Sequence, residues 1–96
     1  MRTILLGDVV AAARVLLALP DGRRAAAMDQ MLDQAHVAHK VFKRLGRPHP
    51  GWGDGSLMSR ALASPQCREP FVSDPRYISV LVAVLEALLR RIERRT

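Results

Sequence analysis

The sequence predicts an all-α fold, a small bundle of four helices (three long and one short) with two Pro/Gly-rich connecting loops, all within a single domain over residues 1–96. Three observations carry this prediction. Apolar residues recur at the i, i+3, i+4, i+7 spacing of a helix face. Proline and glycine fall between those stretches and not inside them. The chain has 96 residues, 49% of them hydrophobic and 25% charged, which suits one globular core and is too short for two.

The first helix is expected over residues 9–19, with Asp8 as its cap and Pro20 ending it, because the residue before a proline avoids the α region. Apart from Arg14 it is apolar on every side, so it belongs in the middle of a bundle or under a partner. The second spans residues 22–45, capped by Asp21 and stopped by Gly46. Met28, Met31, Leu32, Ala35, Ala38, Phe42 and Leu45 form one stripe on it, with Asp29, Asp33, His36, Lys40 and Arg44 on the wet side. A loop rich in proline and glycine follows, and Ser56 then caps a short third helix over residues 57–63. Residues 64–73 make a second irregular link. Asp74 before Pro75 is a helix start signal, a capping carboxylate followed by proline at the position where no N–H is missed. The fourth helix runs from there to about residue 94. It carries two apolar stripes: a heptad-like seam of Ile78, Leu81, Val82, Leu85, Leu88, Leu89 and Ile92, and a second stripe of Tyr77, Val80, Val84 and Ala87. A helix with two apolar faces needs covering twice, and little chain remains to do it. That predicts a homodimer or a stable protein partner on the second stripe.

The formal charge is +6, from 15 basic and 9 acidic residues, and only Lys40 and Lys43 are lysines. Such a balance biases weak association toward polyanions or an acidic partner. The basic residues gather in two clusters. Lys40, Lys43, Arg44 and Arg47 end the second helix, and Arg90, Arg91, Arg94 and Arg95 end the fourth. Both sit where cations complement the helix dipole. If the two ends meet in space they form one positive patch able to track a phosphate backbone, which is the alternative reading of nucleic-acid binding. Cys67 is the single cysteine, so no internal disulfide forms and a reducing cytoplasm is the expected compartment. Asp8 and Arg14 interrupt the N-terminal apolar stretch, against a signal peptide. The longest apolar run, residues 80–85, falls far short of the ~20 residues of a membrane span.

Chemistry-bearing motifs are sparse. His36 and His39 stand at i, i+3 with Asp33 and Cys67 as conceivable co-ligands, but there is no HExxH pattern and the two rings diverge around the helix, so no metal or other cofactor is expected. Cys67, Ser56 and Ser59 lie in no reactive-nucleophile motif. Asp29 and Asp33 occupy adjacent turns of one wet face. No enzyme is expected. The Gly51-Trp52-Gly53-Asp54-Gly55-Ser56 run lacks the order of a phosphate loop and follows no strand, and Asp54 would repel a phosphate. Its glycines suit a tight turn, with Trp52 packing back onto the core. Trp52 beside Arg47 and His49 is also a candidate contact for a protein partner, since tryptophan and arginine dominate binding hot spots. The sequence therefore points to a small cytoplasmic adaptor or regulatory protein. Its expected interface comprises Trp52, Arg47, Tyr77, Val80, Val84 and Ala87.

Overall fold

The computed structural model describes residues 2–95, of whose side chains Arg95's lies outside the description. It consists of α1 (Leu6–Leu17), α2 (Asp21–Leu45), α3 (Leu57–Leu62) and α4 (Pro75–Arg95), an all-α bundle of four helices. Its one β-type contact among the described residues is an isolated bridge between His49 and Gly53.

The helix ends follow local chemistry, with two corrections. Asp8 does not cap α1 from outside. It lies in the first turn, and Leu5, in extended backbone, holds the cap position. Asp8 Oδ2 accepts the Leu5 N–H at 2.7 Å, while Oδ1 accepts the N–H of Met58, in the first turn of α3, at 2.8 Å. One buried carboxylate thus serves the N-termini of two helices, where free N–H groups and the dipole favour negative charge. At the other end, Ala18 and Leu19 donate back to Val15 and Leu16 at 3.0 Å each, tightening the last turn so that α1 stops at Leu17. Arg24 of α2 donates its Nε–H to the Leu16 and Leu19 carbonyls at 2.9 and 3.2 Å, satisfying groups that a helix end leaves open.

The second correction concerns α2. Pro20 takes the cap position and Asp21 is already helical, where it pairs with Arg24. The C-terminal stop is as expected: Gly46 adopts φ +70° and donates to Phe42 O at 2.8 Å. Ser56 Oγ accepts the Ser59 N–H at 3.1 Å and caps α3, and Asp74 Oδ1 accepts the Arg76 N–H at 2.9 Å at the start of α4.

Helix α1 lies in the centre, packed chiefly against α3 and α4 and only sparingly against α2. The core joins Ala11, Ala12, Ala13, Val15 and Leu16 of α1 to Met28, Met31 and Leu32 of α2, Leu57 and Ala61 of α3, and Tyr77, Val80, Val84 and Ala87 of α4. The last four are at most 1% exposed, so the stripe expected to meet a partner is in fact the core face of α4. The reason is steric. An alanine-rich α1 lets another helix come close only if that helix offers small or narrow side chains, and the Val80–Val84–Ala87 stripe does so where the Leu/Ile seam would hold the backbones apart. Tyr77 fits at the end of this stripe because its hydroxyl donates to Glu69 Oε2 at 3.2 Å, and burial pushes its pKa up.

The loop between α2 and α3 seats directly on α2. Gly55 has φ +102°, and a Cβ there would stand 2.5 Å from His39 Cα, so only glycine permits this approach.

Candidate interaction surface

With Val80, Val84 and Ala87 turned inward, the seam of α4 faces out. Ile78, Val82, Leu85, Leu89 and Ile92 are 44, 45, 54, 56 and 60% exposed. Leu81 and Leu88, which the sequence places in the same seam, instead tuck partly against the core. The five open positions are spaced 4, 3, 4 and 3 residues apart, the a/d alternation of a heptad, and extend ~21 Å along the axis at 1.5 Å per residue. Roughly half of five large aliphatic side chains gives one strip of about 450 Å² of apolar surface, within the range of the largest patch on an ordinary monomer. The heptad spacing was visible in the sequence. What was not visible is that the narrower stripe would win the core.

The Trp52 loop is ordered by its own polar groups. His49 Nδ1 accepts the N–H groups of Gly51 and Trp52 at 3.0 Å each, and His49 exchanges 2.8 and 3.1 Å backbone hydrogen bonds with Gly53. The Trp52 ring stacks on His49 with centroids 4.5 Å apart and planes 6° off parallel. Trp52 is therefore half-buried against its own loop and is not part of the core, contrary to the expectation that it packs inward. Arg47, two residues before His49 in the same loop, is exposed. Farther along, Asp54 accepts the Ser56 N–H and the Ser59 hydroxyl at 3.0 Å each. The Ser56 backbone bond leads the effects that hold the Asp54 carboxyl below the usual carboxylate range. Arg2 reaches both Asp54, at 3.9 Å, and the Phe42 ring, 5.0 Å from its centroid.

The two basic helix ends are not brought together. Arg91 Nη1 lies 2.6 Å from Asp33 Oδ1 and Arg90 Nη2 lies 3.8 Å from Asp29 Oδ1, so the end of α4 rests beside the middle of α2. Asp33 and Arg44 are eleven residues apart on that helix, roughly 16 Å of rise. Two of the α4 arginines are thus spent on aspartates of the same chain. Lys40, Lys43, Arg44, Arg47 and Arg94 are exposed.

His36 and His39 do not converge with Asp33 or Cys67: among the described residues no three His, Cys, Asp or Glu side chains stand together as a metal site. Cys67 is structural in its contacts, its N–H donating to Arg14 O at 3.0 Å and its carbonyl accepting from Arg14 Nε at 2.8 Å. No helix among the described residues is long and apolar enough to cross a membrane.

Fold and surface together define a small all-α bundle that leaves one apolar helix face uncovered. Residues 2–88 match the family described as a domain of unknown function, DUF7742, and the chain belongs to that family. The match takes in α1, α2, α3 and α4 as far as Leu88, including the first three exposed seam positions. Neither a curated protein nor a solved structure matches the chain.

Proposed function

We propose that this protein is a small, non-enzymatic, cytoplasmic adaptor or regulatory protein that acts by protein–protein contact, with the outer seam of α4 as the contact surface and a second copy of the chain as its occupant. The observation that carries this reading is the a/d spacing of Ile78, Val82, Leu85, Leu89 and Ile92 on the exposed side of a helix whose other side is filled by the core. A seam of that spacing is matched by another helix of the same spacing, and a second copy supplies one. Two copies pairing along it, with the flanking parts of α4, bury on the order of 1,000 Å², the lower end of specific interfaces. Trp52, stacked on His49, and the exposed Arg47 form a second, smaller contact.

Leu85→Arg tests the reading by placing a charge in mid-seam without touching the core. The variant should keep the helical circular dichroism of the parent and lose its self-association. A variant as associated as the parent would remove α4 from the interface.

The nucleic-acid alternative rests on the exposed Lys40, Lys43, Arg44 and Arg47 at the end of α2. It requires duplex binding at physiological salt that is lost when Lys43 and Arg44 become Glu. Binding confined to low salt would mark the positive charge as non-specific.

A further inference from the structure

Because α1 and α2 touch only sparingly, they leave a half-open groove of about 730 Å³ between them, which Arg60 of α3 and Ser64 and Pro65 after it also line. Its accessible apolar lining comes from Ala18, Leu19, Ala26 and Ala27, over a floor of Val15 and Met31 that is itself buried in the core. Its polar lining contains two arginines, Arg23 and Arg60, and no acidic residue.

Arg60 is the unusual member. Its Nε–H donates to Gln34 Oε1 at 2.5 Å and its Nη1 to Ser64 Oγ at 2.8 Å, both uncharged acceptors. Arg24, Arg90 and Arg91 all have an aspartate within 4.0 Å, whereas among the described residues Arg60 has no such carboxylate, although it is half-buried. A partly desolvated guanidinium is costly to leave without a counter-charge. Gln34 and Ser64 fix its plane and leave further N–H donors of the fork unused. The fork matches a carboxylate in bidentate geometry. Arg23, exposed at the rim, adds to the same positive potential.

We propose that this groove is a binding site for an amphipathic monocarboxylate, whose alkyl chain lies along Ala18, Leu19, Ala26 and Ala27 and whose carboxylate meets Arg60. The volume lies within the range of small-ligand sites, and a partly apolar trough whose lining holds one hydrogen-bonded guanidinium without a counter-charge suits an apolar body with one anionic head. The site is independent of the α4 seam, which lies on another helix.

The test is a titration of the full, ¹⁵N-labelled chain with octanoate at pH 7, followed by two-dimensional NMR and set beside octan-1-ol, which keeps the chain and lacks the charge. Octanoate should give saturable shifts at the amides of Ala18, Leu19, Gly22 and Ala26, with octanol at least tenfold weaker. Arg60→Met should weaken octanoate about tenfold and leave octanol unchanged, and Arg60→Lys should restore part of the difference. Should Arg60→Met not fold, judged from the same spectra, Arg23→Ala takes its place, with a loss of a few-fold. Equal binding of octanol, shifts confined to the outer face of α4, or no saturation would overturn the proposal. So would groove shifts that follow protein concentration without ligand, since they would mean that another copy fills it.

Discussion

Asp8 ties two helices together through one carboxylate, and Asp8→Ala should cost far more than an ordinary cap. Both oxygens are engaged, Oδ2 by Leu5 N–H at 2.7 Å and Oδ1 by Met58 N–H at 2.8 Å, and the residue is 5% exposed. Removing a single helix cap costs about 1 kcal/mol, and hydrogen bonds to charged groups contribute roughly 1.5–3 kcal/mol each. Alanine abolishes two at once and leaves two backbone N–H groups without acceptors, so we expect a loss of about 3 kcal/mol. For a domain of this size each kcal/mol moves Tm by about 4–8 °C, which gives a fall of at least ~12 °C. Asp8→Asn, which keeps one good acceptor, should cost about half as much. Urea and thermal unfolding should be run at one low protein concentration, because association would raise Tm on its own. A change below ~0.5 kcal/mol for Asp8→Ala would refute the double-capping argument, since that is what an uninvolved surface position gives.

Further expectations are more local. Gly55→Ala brings both a disfavoured φ of +102° and a Cβ 2.5 Å from His39 Cα, so it should destabilise by more than ~2 kcal/mol in a denaturant titration, whereas Gly22→Ala, with open space around it, should be neutral or stabilising. Val84→Arg forces a charge into a fully buried site beside α1 and should abolish cooperative unfolding, in contrast to Leu85→Arg one residue on. Below neutral pH, two groups with lowered pKa set the expected dependence. Asp54, depressed chiefly by the Ser56 backbone bond, contributes stability that is complete above the ordinary carboxylate range and is lost as pH falls through its lower folded value, so wild type and Asp54→Asn should converge in strong acid. His39 is lowered first by burial and then by nearby cations, Lys43 and Arg2 among them. Its neutral form is favoured in the fold, and stability should begin to fall as pH drops below 6.5, a loss absent from His39→Gln.

Much of the bundle was legible in sequence because its punctuation is local. Gly46, Ser56 and the Asp74–Pro75 pair act through hydrogen bonds and φ values within a turn of themselves, and each does in the structure what its type implies. Asp8 was misplaced for a related reason. An acidic residue ahead of an apolar run suits either the cap or the first turn, and the choice was made by Met58, fifty residues away. The two faces of α4 were also both legible as apolar. Which one enters the core depends on how closely α1 approaches, and that is set by Ala11, Ala12 and Ala13 packing against another helix, a tertiary fact. The groove at Arg60 had no sequence signal at all, since it exists only because α1 and α2 diverge.

Whether a second copy of the chain covers the outer seam of α4 decides the proposed function. Sedimentation equilibrium of the wild-type chain and of Leu85→Arg, over concentrations from about 1 to 100 µM, tests it most directly. The wild-type mass should rise toward twice the 10.6 kDa of the chain, while the variant stays at the monomer mass with unchanged helicity. A wild-type protein that remains monomeric throughout, or a variant that associates as the parent does, would contradict it.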